Sequence, residues 1–170
     1  PMNHPLDLKL EATYGYNPLE LAAYAAYRDA MSRNPKLLDA LNVSRVLRPE
    51  RGTVEPNPSA LPRAYFAGEP ARMASVVWHD EQGYRIHCRA GAAGLLRVSV
   101  PYFPGWRATA GGVELPVQRV DEALIGVAVS AGEREITLRF RSNYFGLGAA
   151  LSAAGILLAA ALALWERRTG

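Results

Sequence analysis

Phe145 to Trp165, FGLGAALSAAGILLAAALALW, runs for 21 residues without a charge, and Ser152 is its only strongly polar side chain. As a helix rising 1.5 Å per residue it is about 32 Å long, the hydrocarbon thickness of a bilayer. The segment predicts a body of some 140 residues tied to membrane lipid by one C-terminal transmembrane helix. Tyr144 and Trp165 suit the two interfaces. Arg139 and Arg141 precede the run and Arg167 and Arg168 follow it, so charge alone assigns no orientation. Gly148, Ser152, Gly155 and Ala159 recur at helical spacing. They read either as chance in an alanine-rich span or as a seam against further transmembrane helices. A helix buried in a soluble body is the remaining reading of the same composition. The chain opens on Pro1 with no charged-then-apolar leader, so export of the body is expected to depend on an upstream part of a longer protein.

The body divides by texture. Residues 6–11, LDLKLE, alternate as a half-buried strand does. Asn17-Pro18 with Glu20 predicts a helix from Pro18 to Met31, and Asn34-Pro35 a second, short helix ending near Leu41, stopped by Asn42. Val43–Leu47 reads as a strand, and residues 48–63, with Pro49, Gly52, Pro56, Pro58 and Pro62, as a loop. After a short strand at Ala64–Ala67 the pattern becomes all-β. Strands are predicted at Ala74–His79, Tyr84–Arg89, Leu95–Tyr102, Val113–Val120, Leu124–Val129 and Arg134–Arg141, separated by Gly- and Asp-containing turns. The expected fold is α+β and mainly β. It comprises an N-terminal strand–helix–helix–strand segment with a proline-rich linker (residues 1–72), a small antiparallel β-sandwich (73–142), and the transmembrane helix with a basic tail (143–168).

Most chemistries find no support. Net charge is +3, with the arginines scattered rather than massed in a stripe, so no nucleic-acid partner is expected. Cys88 is the sole cysteine, which excludes an internal disulfide, and its strand-like neighbours predict a buried, inert thiol. His4, His79 and His87 lack metal-ligand spacing, so no metal is expected. Asp80-Glu81 and Asp121-Glu122 fall in turns, where turn chemistry is the commoner role. Ser44, Ser75 and Ser99 lack a nucleophile-elbow context, and Gly146 and Gly148 open an apolar helix rather than a phosphate loop. No catalytic residue and no cofactor is assigned.

Pro101-Tyr102-Phe103-Pro104-Gly105-Trp106-Arg107-Ala108-Thr109 is the most distinctive segment. Two prolines, a glycine and three aromatics after an apolar strand make a sharp, rigid bend. Tyr102, Trp106 and Arg107 could form a platform for a sugar ring or an anionic group. Alternatively, the segment is a structural corner with Trp106 plugging the sandwich. Arg63, directly after Pro62, either bridges two subdomains or reaches a ligand phosphate.

These segments resemble a known family. The run from Pro101 to Thr109, followed by Gly111-Gly112 and Val117-Gln118-Arg119-Val120, resembles the yyPGWrAtvdG…v.rvn signature of YfhO-like bacterial membrane proteins. Leu61–Phe66 (LPRAYF) is similar to their lPRaf segment, Leu37–Val43 to lldllnVkYvl, and Tyr14–Leu19 to gYdpl, in the same order and with a closing transmembrane helix. The abrupt Arg72-Met73-Ala74-Ser75 departs from the longer acidic connection of the family. Such proteins resemble GT-C type glycosyltransferases that use a lipid-linked sugar on the outer face of a bacterial cell membrane. The resemblance implies an extracytoplasmic body, a cytoplasmic C-terminus, and partners among the transmembrane helices of a parent protein and a cell-envelope glycan or lipid-linked sugar. It implies a region that caps the active site or binds a glycan acceptor and is not catalytic alone. The alternative is a structural or partner-binding module with no sugar-binding role.

Overall fold

A computed structural model of the chain describes residues 11–13, 20–66, 68, 74–80, 82–90 and 92–169. The strand expected at 6–11, the Asn17-Pro18 helix start and the Arg72-Met73 connection lie outside the described residues.

Helix α1 is Ala22–Met31, entered through Leu21 without a side-chain cap. Its buried residues Tyr27 and Met31 are one turn apart and mark its inner face. Asn34 Oδ1 accepts the Lys36 amide at 3.2 Å and opens α2, Lys36–Ala40. Asn42 then takes a left-handed φ of 61°, which asparagine tolerates, and ends the helical turn.

The strand expected at Val43–Leu47 is present at Arg45–Arg48, and the proline-rich stretch after it, expected to be a loop, supplies a second strand that completes a hairpin. Strands β1 (Arg45–Arg48) and β2 (Thr53–Pro56) pair antiparallel, with Gly52 at φ 62° in the turn. Pro49 falls in the turn and Pro56 at the strand end, positions where a missing ladder N–H is harmless, so proline density alone was misleading.

The remaining strands form the sandwich. They are β3 (Ala64–Phe66), β4 (Ala74–Asp80), β5 (Gly83–Ala90), β6 (Gly94–Pro101), β7 (Trp106–Ala110), β8 (Val113–Leu115), β9 (Val117–Val120), β10 (Leu124–Val129) and β11 (Gly132–Phe140). One sheet has the order β3-β6-β10-β9 and the other β4-β5-β11-β7-β8, with every pairing antiparallel. Two expectations are corrected. Val113–Val120 is not one strand: Pro116, which has no N–H to donate, separates β8 in the five-stranded sheet from β9 in the four-stranded one. The bend after β6 is confined to 101–105, and Trp106–Ala110 is itself a strand, with Ala108 inward and Arg107 outward.

Period-two alternation fills the space between the sheets. Ile86 and Cys88 of β5 and Ile136 and Leu138 of β11 meet Leu96, Val98, Ile125 and Val127 of the opposite sheet, all essentially inaccessible to water. A second, smaller core lies on the far face of the four-stranded sheet. There Tyr27, Met31 and Leu41 of the helical segment close over Ala123 and Leu124. Ser99 Oγ donates to Ala40 O at 2.6 Å across the same junction. Helix α3, Phe145–Thr169, carries the apolar run with a mean hydropathy of 2.2, and none of the run is buried against the body. The helix is therefore not the core of a soluble body.

Candidate functional site

The strand registers gather one end of the sandwich around the root of α3. Phe140, the last residue of β11, pairs with Trp106, the first of β7, and its N–H donates to Gln82 O at 2.8 Å. Leu124 at the start of β10 faces Pro101 at the end of β6. The β4–β5 turn, the 101–105 corner, the Asp121-Glu122 turn and the start of α3 therefore share one end. Only four residues, 141–144, separate β11 from α3.

The corner is fastened to that connector. The Arg141 N–H donates to Gly105 O at 2.9 Å, and the Tyr102 N–H to Ala123 O at 2.7 Å. Gly105 has φ 124°, and a Cβ there would lie 2.6 Å from Arg141 O and 3.0 Å from Phe140 Cε2. The glycine of the PGW triplet is thus required twice, by its dihedral and by the connector's close approach. The Trp106 ring meets Phe140 edge-on at 5.5 Å between centroids and Tyr84 at 6.3 Å, while Phe103 lies 6.0 Å from Phe140.

The four residues singled out from sequence are not brought together. Tyr102 and Trp106 are half-buried and pack against the main core. Trp106 and Arg107 line a shallow cleft of about 250 Å³ with Glu114 and Asn143, and Arg107 Nη1 stands 3.4 Å from Glu114 Oε1. Arg63 lies in neither this cleft nor the larger one. It ion-pairs with Glu11, and its Nη1 donates to Ser99 O at 3.3 Å, joining the segment before β3 to β6.

The larger cleft, about 600 Å³, opens between the helices and the four-stranded sheet, on residues that sequence reading assigned to no site. Tyr27, Leu37, Leu61, Tyr65 and Phe66 form an apolar floor, and Arg33, Arg97, Asp121 and Glu122 stand on the rim. Arg97 projects from β6 toward the β9–β10 turn. Its Nε is buried and lies 3.0 Å from Asp121 Oδ2, an ion pair by distance in which the N–H is not aimed at the oxygen. Asp121 and Glu122 take left-handed φ values of 46° and 66°. Such a conformation costs a non-glycine residue about 1–2 kcal/mol. The turn role expected for this pair holds, but the turn also presents two carboxylates to this cleft. Burial, reinforced by Asp121, pushes the hydroxyls of Tyr27 and Tyr65 above their ordinary pKa, so both remain neutral donors. The Tyr27 hydroxyl donates to Leu37 O at 3.0 Å.

Cys88 is buried in β5 among core side chains, and burial raises its thiol pKa against the smaller opposing pull of Arg134, which keeps it a protonated, weakly nucleophilic thiol. Among the described residues no three histidine, cysteine or acidic side chains stand together as metal ligands.

The family model for the bacterial membrane protein YfhO matches residues 74–152. This stretch is a YfhO-like region. It runs from β4 into the first turns of α3, and so contains the whole five-stranded sheet, the 101–105 corner, the Asp121-Glu122 turn and the connector. No curated protein and no solved structure matches the chain. The match of this region to a bacterial membrane protein family agrees with the apolar helix α3 and with association with lipid.

Proposed function

We propose that the chain is an extracytoplasmic, membrane-tethered cap of a multi-span YfhO-like protein that transfers a lipid-linked sugar, and that its larger cleft holds a segment of the glycan acceptor. The observation that carries this reading is the charge-balanced rim over an apolar floor, with the acidic half of that rim on the turn at the end from which α3 leaves. Two guanidinium groups and two carboxylates offer donors and acceptors together, as hydroxyl-bearing rings require, and favour neither an anion nor a cation. A cleft of about 600 Å³ is in the range of sites that enclose small ligands, and one or two sugar rings fit it. The body would then cover the membrane-embedded part of its parent and present the acceptor to it, with the chemistry supplied by that part.

The test is saturation-transfer NMR on the full chain in nanodiscs, using glucose, N-acetylglucosamine and their disaccharides as probes. Transfer to at least one probe, lost in Arg97→Met and in Glu122→Gln but kept in Arg107→Gln, is the expected result. Absence of transfer to every probe, or transfer indifferent to both rim substitutions, overturns the cleft assignment. Sidedness is read separately: a membrane-impermeant maleimide should label Ala131→Cys of the parent protein in intact cells. A purely structural module is the second reading, favoured by the packing of Trp106 against Phe140 and Tyr84 and by the locked Gly105. It is the outcome if no sugar binds while these contacts alone determine stability.

A further inference from the structure

We propose that the Phe103-Pro104 tip of the 101–105 corner docks into the bilayer interface beside α3, with Arg141 held against an anionic lipid phosphate, so that the sandwich lies fixed on the membrane rather than swinging from a tether. Three independent features converge on this surface. The first is reach. Five Cα steps separate Phe140 from Phe145, at most about 18 Å of chain, so the end of the sandwich cannot leave the neighbourhood of the helix mouth. The second is rigidity. The Arg141-to-Gly105 hydrogen bond and the packing of Phe103 against Phe140 fasten the corner to the connector, so wherever the connector meets the membrane the corner does too. Little ordering entropy remains to be lost on docking.

The third is chemistry. Phe103 is 44% exposed and Pro104 is exposed next to it, an apolar tip; Trp78, 39% exposed, is the other exposed aromatic of the described sandwich strands, and the guanidinium groups of Arg85 and Arg139 lie over its ring. Pro104 has no N–H to desolvate on entering the interface. Tyr144, 76% exposed, stands at the start of α3 where an interfacial aromatic belongs. Arg141 is exposed and forms no ion pair among the described residues, whereas Arg107 and Arg139 are matched by Glu114 and Asp80. A guanidinium at headgroup depth finds its partner in a lipid phosphate. The occupant is thus a bilayer surface containing anionic lipid, and the surface that meets it is formed by a corner and a connector far apart in sequence. The docking does not depend on which side of the membrane holds the body, or on whether the larger cleft binds a sugar.

The experiment places a nitroxide at Phe103→Cys in the full chain in nanodiscs. The same label at Ala131→Cys, at the opposite end of the sandwich, serves as the water reference, and at Phe145→Cys as the membrane reference. Cys88 is buried, and the unmodified protein, which should take no label, is the control. Docking predicts that the ratio of oxygen to nickel-chelate collision rates at position 103 is several-fold above that at 131 and close to that at 145. In nanodiscs with phosphatidylglycerol, Arg141→Gln should shift the docked-to-free ratio about fivefold toward free, and in pure phosphatidylcholine it should have little effect. A label at 103 as accessible to the nickel chelate as the one at 131, in both lipid compositions, overturns the proposal. Pro104→Asp, read with the same label at position 103, puts a charge on the exposed tip and should release the corner with no change in far-UV circular dichroism. Retention of docking in that variant also counts against the assignment.

Discussion

Replacing Gly105 by alanine isolates what the PGW corner contributes. Two costs arise at this position. A φ of 124° is strained for any residue with a Cβ, by about 1–3 kcal/mol. The added methyl also lies 2.6 Å from a backbone oxygen, which cannot rotate away as a side chain does. Relief requires the connector to move and the Arg141-to-Gly105 hydrogen bond to open, worth about 1 kcal/mol more. The expected loss is about 2–4 kcal/mol. Gly111→Ala provides the matched control, because Gly111 also has a positive φ, 56°, but has no atom within 4 Å of its missing Cβ. That variant should lose only the dihedral term, about 1–2 kcal/mol. Urea unfolding of both variants in the same detergent, followed by the fluorescence of Trp106 and Trp78, gives the comparison. With a slope of about 1.5 kcal/mol/M the Gly105 variant should unfold roughly 1–3 M earlier than wild type and clearly earlier than the Gly111 variant. Equal midpoints for the two variants would refute the claim that the corner is locked onto the connector.

Further outcomes follow from the same geometry. Leu124→Ala, at a fully buried position in the smaller core and on the central strand of its sheet, should cost about 2–5 kcal/mol and loosen the helical segment first, read as earlier proteolysis near α1 than in the sandwich. Tyr27, Tyr65 and Tyr24 all bind their protons more tightly when folded than the ordinary value of 10.0, chiefly through burial. Stability should therefore be unaffected by these groups below pH 10 and fall as pH rises above it, toward their raised folded values; Tyr27→Phe, if it folds, should flatten that alkaline decline. The Cys88 thiol should resist a thiol reagent at pH 8 in the folded protein and react at once in urea.

Legibility in the sequence followed the range of the interaction. Strands whose side chains alternate strictly, such as β11 with Ile136, Leu138 and Phe140 turned from Thr137 and Arg139, could be read to within a residue or two, because period two is a local property. The second strand of the hairpin, Thr53–Pro56, was obscured because proline counts say nothing about whether each proline sits where a donor is needed. Splitting 113–120 between two sheets required knowing that Pro116 stands at a crossing, a long-range fact about strand order. Asp121 and Glu122 showed their turn role in sequence, but nothing local announced that Arg97, Tyr65 and helix α1 would converge on that turn.

By itself the sequence determined that this protein carries a segment suited to a bilayer. The uncharged run from Phe145 to Trp165 is long enough and apolar enough for that, and hydropathy sums along the chain without reference to folding. It also determined the β character of the body and the resemblance carried by the PGWRA segment. Only the tertiary structure decided what gathers at one end of the sandwich. Antiparallel registers bring the ends of β6 and β11 and the starts of β7 and β10 to one place, so the corner, the acidic turn and the root of α3 become neighbours. That convergence depends on backbone pairing between residues up to 35 positions apart, Gly94 and Val129, and no local pattern encodes it.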